Sequence, residues 1–217
     1  MSSPAHDPMA TALVEGPADA DWTVILAHGA GAPMDSPFME VVARGLVGLG
    51  HRVVRFEFPY MAVRRETGKK RPPNPQRVLL ATWREVHASF PGARLAIGGK
   101  SMGGRMASLL ADELGVGALV CLGYPFHPAG KPEKTRTEHL AELRTPTLIV
   151  QGERDALGRR DEVEGYDLSE AIELCWLEDG NHSLVPRKRS GLTEAEHLAA
   201  AVAAIDGFLR RAGEGII

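Results

Sequence analysis

Short, almost uninterrupted apolar stretches recur along this sequence, and each has the length of a β-strand. A strand covered on both faces has such a continuous run, whereas a half-exposed strand alternates apolar and polar residues. The runs lie at residues 22–27, 51–58, 95–97, 116–123, 147–151 and 172–177. They predict the buried strands of a mostly parallel sheet.

Between these runs, apolar residues recur at helical spacing. The first such segment carries Phe38, Val41, Val42 and Leu46 on one side, which should face a core. Further helices are predicted at residues 76–90, 102–114 and 193–211, with a short one at 137–143 and a polar helical stretch before the last strand. Residues 59–75, rich in charge and proline, are predicted to form a loop.

Strands that alternate with helices predict a doubly wound α/β sheet. No repeat or linker divides the chain, so residues 1–217 are expected to form a single domain. Residues 1–10 should be frayed, and residues 11–15 could add an edge strand. In such sheets, functional groups collect where parallel strands end.

Composition excludes some classes of function. A net charge of −3, with 24% charged residues, favours neither nucleic acid nor a membrane surface as partner. The amino terminus has no signal-peptide pattern, and no apolar run is long enough to span a membrane. Cys121 and Cys175 fall in predicted central strands, which favours buried free thiols. These features predict a cytoplasmic protein.

Gly99-Lys100-Ser101-Met102-Gly103 fits G-x-S-x-G at the junction of a predicted strand and helix. In that pattern a serine sits on a strained turn that presents its hydroxyl above the sheet. A phosphate-binding P-loop is the competing interpretation, but Arg94 stands where that motif needs its first glycine. We therefore predict a nucleophile elbow.

A nucleophilic serine needs a base, and a histidine base needs an acid that fixes its tautomer. Ser101, Asp155 and His182 each follow a predicted strand, in the chain order nucleophile, acid, histidine. Asp179 is the alternative acid, and Asp155 could instead be a helix cap. Of the other histidines, His127 could line the site but precedes the wrong strand for a base. Four further histidines are predicted at the surface: His51, His87, His139 and His197.

An oxyanion hole needs two N–H donors. Met102 should supply one, and Ala30 the other, with Gly31 as the possible substitute. Gly29-Ala30-Gly31 also begins a dinucleotide-binding pattern, but Met34 replaces its third glycine. No cluster of residues has metal-ligand spacing, so neither cofactor nor metal is predicted.

The candidate substrate contacts are His28, Tyr60 and Phe126, which belong to loops around the predicted site. Tyr60 lies beside the basic segment 64–71. That segment could attract an anionic substrate or partner, or could be a solvated charged loop.

The chain resembles the α/β-hydrolase superfamily, and in particular the small lidless serine hydrolases related to dienelactone hydrolases. Its likeness is greatest to the group that shares a domain with a testis-expressed protein and a chromatin-complex subunit. The segments that carry the resemblance cover residues 20–210: 26–32, 58–61, 98–105, 123–128, 151–155 and 180–182. Ser101 departs from dienelactone hydrolases, which have cysteine there, and this departure argues against their substrate. Only about twenty residues separate the strands between which many relatives insert a lid, so no large lid is expected.

This resemblance implies a serine enzyme that cleaves carboxylic esters or thioesters, and the residues predict the covalent acyl-enzyme route. We expect a small-molecule substrate and a monomer or homodimer. The alternatives are a scaffold or binding module with the same fold, and a peptidase or haloperoxidase-like activity on the same triad. Fold alone does not choose among substrates.

Overall fold

A seven-stranded sheet forms the centre of the computed structural model, which describes residues 7–215. Strand order is β1-β3-β2-β4-β5-β6-β7, and all pairs are parallel except β1 with β3. The strands are β1 Leu13–Glu15, β2 Thr23–Ala27, β3 Arg52–Phe56, β4 Leu95–Lys100, β5 Ala118–Leu122, β6 Thr147–Gly152 and β7 Ile172–Leu177. The predicted α/β architecture is confirmed, including the added edge strand β1.

Helices cover both faces of the sheet. They are α1 Pro37–Gly48, α2 Pro59–Thr67, α3 Gln76–Ala88, α4 Met102–Ser108, α5 Ala111–Leu114, α6 Arg160–Val163 and α7 Glu194–Gly213. One core lies between the sheet and the α1–α7 pair, and the other lies under α3 and α4. Between β5 and β6 the only helical segment is the 3-10 turn Glu138–Leu140, so the described chain carries no large lid.

The predicted loop at residues 59–75 is wrong in its first half, because residues 59–67 form α2. Pro59 occupies the first helical turn, where a missing N–H costs nothing. Tyr60 and Met61 are buried, whereas Glu66 is exposed. In the sequence, this segment has only one apolar turn, and its charged residues and flanking prolines are typical of a loop.

The face of α1 that packs on the core differs from the predicted one. Val41 was expected there but is 47% exposed, and α1 buries Met39 and Ala43 instead. The predicted helix at 102–114 is broken after Ser108, whose hydroxyl donates to the carbonyl oxygen of Arg105 and so competes with helix continuation. Both cysteines are free, as predicted. Cys175, however, is only half-buried, because its strand β7 lies at the edge of the sheet and not at its centre.

Two of the four histidines expected at the surface are buried, because each has a polar partner. His51 pairs with Asp206, and His197 contacts the carbonyl oxygen of Leu184. Of the segment expected to fray, residues 1–6 lie outside the described residues, while Asp7 and Ala10 are joined by a turn hydrogen bond.

Candidate active site

Ser101 occupies a sharp turn between β4 and α4. Its backbone has φ 51° and ψ −114°, a conformation that is strained for a residue with a Cβ. The turn is tightly packed, since a Cβ on Gly99 or Gly103 would lie 2.1 or 2.4 Å from the carbonyl oxygen of Ala27. Glycine is therefore required on both sides of the serine, as the elbow pattern predicts.

Ser101, His182 and Asp155 form a continuous hydrogen-bonded chain. His182 Nε2 lies 2.9 Å from Ser101 Oγ, and His182 Nδ1 lies 2.7 Å from Asp155 Oδ2. The Asp155 side chain is fully buried, whereas that of His182 is 30% exposed. With Nδ1–H donated to the carboxylate, Nε2 is free to accept the serine proton.

Backbone packing brings the acid and the histidine together. A Cβ on Gly152 would lie 2.5 Å from the carbonyl oxygens of Gly180 and Asn181, so the end of β6 touches the histidine loop directly. The Asp155 carboxylate is held on its other sides by the N–H of Leu157 at 2.9 Å and by Gln151 Nε2 at 2.9 Å.

Gln151 is a positioning residue that the sequence patterns did not predict. Its Oε1 accepts from the Tyr124 N–H at 2.7 Å, and its side chain is fully buried at the end of β6. One polar residue at the end of an apolar strand was the available signal, because such a residue needs a buried partner.

Asp179, the alternative acid, is committed elsewhere. Its carboxylate accepts from the Arg187 main-chain N–H at 2.8 Å and from the Arg187 guanidinium, and it also pairs with Arg154. These bonds, above all that of the Arg187 side chain, lower the pKa of Asp179. The structure joins His182 to Asp155 and not to Asp179.

The loop that carries Ala30 lies against the elbow. A Cβ on Gly29 would lie 3.8 Å from Ser101 Cβ. Tyr60 Oη donates to the Ala30 carbonyl oxygen at 2.9 Å, and Arg64 Nη1 donates to that of Gly31 at 2.9 Å. α2 thus holds two carbonyl oxygens of the loop that carries Ala30. The Met102 N–H has no acceptor within its helix, since it belongs to the first helical residue.

His28 supports this loop from below. The ring is fully buried, which lowers its pKa and favours the neutral form. Its Nε2 accepts from the Phe58 N–H at 3.2 Å, so Nδ1 carries the proton and donates to the Gly29 carbonyl oxygen at 2.7 Å. Both nitrogens are used within the protein, so His28 holds the loop in this structure, and its contact with a substrate stays a prediction.

Phe126 is likewise fully buried and cannot contact a substrate in this conformation. Its ring packs against Tyr124 and Tyr166, and a Cβ on Gly158 would lie 2.4 Å from it. Phe126 thus supports the loop of Asp155. Tyr60 is 3% exposed and acts on the Ala30 carbonyl oxygen through its hydroxyl.

A second serine–histidine pair lies deeper in the protein. Ser108 Oγ is 2.8 Å from His139 Nε2, but this serine is a buried residue of α4 with no elbow. Its hydroxyl also lies 2.8 Å from the Arg105 carbonyl oxygen, to which it donates. Burial and the charge of Arg105 lower the pKa of His139 to about 4, which makes this histidine a poor base.

Within residues 7–215, no three His, Cys, Asp or Glu side chains converge in a way that could hold a metal ion. No helix in the same range is both long and apolar enough to cross a membrane.

The family model for the α/β hydrolase domain matches residues 20–210. The chain belongs to this family. Its match spans every strand from β2 to β7 and both loops that meet at Ser101. The lidless sheet and the elbow are thus features of an α/β hydrolase domain.

Solved structures show the same fold. An α/β serine hydrolase without a lid from Xanthomonas campestris is 23% identical, over 92% of this chain and 88% of its own, with a TM-score of 0.67. A dienelactone hydrolase from Anabaena variabilis is 20% identical, over 92% and 90%, with a TM-score of 0.68. Est1E from Butyrivibrio proteoclasticus, also solved with ferulic acid bound, is 15% identical, over 93% of each chain, with a TM-score of 0.66.

Proposed function

We propose that this α/β hydrolase domain is a serine hydrolase that cleaves carboxylic esters or thioesters through an acyl-enzyme. The observation that carries the proposal is the hydrogen-bonded chain from Ser101 through His182 to Asp155. That chain has the geometry required of nucleophile, base and orienting acid.

In the proposed reaction, His182 Nε2 takes the proton of Ser101 Oγ as the oxygen attacks the substrate carbonyl carbon. The N–H groups of Ala30 and Met102 stabilise the negative charge that develops on the carbonyl oxygen. The imidazolium, stabilised by Asp155, then gives its proton to the departing alcohol or thiol. Water, deprotonated by His182, attacks the acyl-enzyme and releases the acid with Ser101 restored.

We also propose the family subgroup, the cellular location and the oligomeric state of this enzyme. We propose that, within its family, the chain belongs to the group that shares a domain with a testis-expressed protein and a chromatin-complex subunit; the six segments that carry the resemblance support this. The free thiols of Cys121 and Cys175 support a reducing, cytoplasmic location. We expect a monomer or homodimer that acts on a small molecule, without nucleic acid or membrane as partner.

A fluorophosphonate probe tests the activated nucleophile. The native chain should be labelled, Ser101→Ala should not, and Ser183→Ala should match the native chain because Ser183 is an exposed neighbour of His182. Trypsin cuts after Lys100 and Arg105, so mass spectrometry of the labelled peptide separates Ser101 from Ser108. A folded native chain that stays unlabelled would contradict the proposal and favour the scaffold alternative.

A further inference from the structure

Two arginines form a cluster beside α4 that the proposed reaction does not use. Arg105 lies on α4, and Arg136 lies in the connection between β5 and β6. Tyr124 Oη donates to the Arg136 carbonyl oxygen at 3.0 Å and lies 3.5 Å from His139 Nε2. Because His139 also contacts Ser108 on α4, this connection is fixed against the helix that begins at the elbow.

Neither guanidinium has a carboxylate partner. Across residues 7–215, the side chains of Arg105 and Arg136 make no hydrogen bond or ion pair, although both are half-buried, and Arg105 Nε is fully buried without an acceptor. Other arginines of this chain do have partners: Arg65 pairs with Glu57, and Arg84 with Glu113. A buried donor on a cation is costly when unpaired, so an anionic acceptor bound at this cluster would be stabilised.

The electrostatics of the cluster are one-sided. Burial lowers the pKa of Arg136, and the positive charge of Arg105 lowers it further. The same two causes lower the pKa of His139 to about 4, so this histidine is neutral near pH 7. The charge of Arg105 therefore acts on both Arg136 and His139, and no carboxylate acts on the pKa of either residue. Planar guanidinium groups of this kind match the oxygens of a carboxylate or phosphate.

The cluster is close to the nucleophile. The Arg105 N–H donates to the Ser101 carbonyl oxygen at 3.0 Å, so the two residues are one helical turn apart. Helical side chains lean towards the amino terminus of their helix, so the Arg105 side chain is directed back along α4 towards the elbow. One turn corresponds to about 5.4 Å along the axis, which a short acyl chain can span.

We propose that Arg105 and Arg136 bind an oxyanion carried by the substrate, so that the enzyme selects esters with a carboxylate or phosphate a few bonds from the scissile group. This inference rests on the proposed function, whose substrate class it narrows. Both arginines are half-buried and reach solvent, as a substrate site without a lid requires.

The kinetic test compares two esters that differ by one carboxylate, p-nitrophenyl valerate and mono-p-nitrophenyl glutarate. We expect the native chain to prefer the glutarate ester by about tenfold or more in kcat/KM, as charged hydrogen bonds would give. Arg105→Met and Arg136→Met should each remove most of that preference, by lowering kcat/KM for the glutarate ester much more than for the valerate ester. Arg77→Met is the matched control, because Arg77 is exposed on α3 and its loss should change neither rate.

Two further measurements keep the test decisive if a methionine variant folds poorly. Arg105→Lys, which keeps the charge, should retain part of the preference, and the preference of the native chain should fall as salt is added. Equal kcat/KM ratios in the native chain, the two methionine variants and the Arg77 control would overturn the proposal.

A binding measurement separates this proposal from the proposed function. Ser101→Ala is titrated calorimetrically with glutarate and with inorganic phosphate, alone and with Arg105→Met added. Binding that depends on Arg105 supports the anion site even if no probe labelling or ester turnover is found. The anion that binds more tightly shows whether the site prefers a carboxylate or a phosphate. If neither anion binds, the cluster is solvated by water only, and the proposal is wrong even for an enzyme that fluorophosphonate labels.

Discussion

The Nζ of Lys100 donates a hydrogen bond to the main-chain carbonyl oxygen of His182. The residue before the elbow serine therefore holds the histidine loop, and the Phe38 ring, 5.2 Å from Nζ, covers the ammonium group. Gly123 makes room for this contact, because a Cβ there would lie 2.6 Å from Nζ. The elbow and the histidine loop are thus joined by two hydrogen bonds, this one and the one between the side chains of Ser101 and His182.

The buried ammonium should give stability an unusual pH dependence. Burial lowers the pKa of Lys100 to about 8, although the Asp155 charge opposes this shift. The unfolded chain keeps a lysine pKa near 10.4, so it binds more protons between about pH 8 and 10.4. The free energy of unfolding gains a contribution of up to about 3 kcal/mol as pH rises through that window, and the cost is fully present below it.

Urea unfolding at pH 7.5 and 9.5 measures this contribution. Buried tyrosines and Cys121 act in the opposite direction, so the comparison is between variants rather than between pH values alone. Lys100→Met should lose the stabilising increment, whereas Lys69→Met, at an exposed position, should keep it. The same pH slope in all three chains would show that Lys100 titrates normally.

The acid of the triad can be identified with a matched pair of substitutions. Asp155→Asn should lower kcat by about 10³- to 10⁴-fold, because the amide cannot hold His182 in the tautomer that accepts the serine proton. Asp179→Asn breaks only the contacts with Arg187 and Arg154 and should leave kcat within a few-fold of the native value. Ester hydrolysis by both variants is the measurement. A larger loss from Asp179→Asn would reverse the assignment.

Tyr60 should act on catalysis through the Ala30 carbonyl oxygen. Tyr60→Phe keeps the buried ring and removes only the hydroxyl that fixes this loop. We expect kcat to fall about tenfold with little change in KM, the loss that follows from roughly 1.4 kcal/mol of weaker oxyanion stabilisation. Tyr166→Phe is the control, because Tyr166 is half-buried and its ring packs against Phe126 rather than against the Ala30 loop. An unchanged kcat would mean that the loop keeps its shape without Tyr60.

The sequence predicts the sheet and the elbow well because both depend on local patterns. Continuous apolar runs mark the buried strands, and the elbow requires glycine wherever backbones touch. The roles of His28 and Phe126 were not predictable in this way. Each residue is close to the site in sequence, yet the orientation of its side chain depends on a distant segment. His28 is held by the Phe58 N–H, and Phe126 packs on the backbone at Gly158. The helix α2 was hidden for a similar reason, since only tertiary burial of Tyr60 and Met61 distinguishes it from a charged loop.

The elbow should tolerate no methyl group on the strand beneath it. Gly98 lies in β4, and a Cβ there would lie 1.8 Å from the Val120 carbonyl oxygen of the neighbouring strand. Its backbone conformation suits other residues, so the cost of Gly98→Ala is steric and should reach several kcal/mol or prevent folding.

Gly48→Ala is the matched control. No atom of residues 7–215 lies within 4 Å of a Cβ at Gly48, in the last turn of α1, and alanine there should be neutral or stabilise by up to about 1 kcal/mol. Urea unfolding of both variants gives the difference directly. A Gly98→Ala chain as stable as the native one would mean that β4 and β5 can separate without loss, contrary to the close packing on which the position of Ser101 depends.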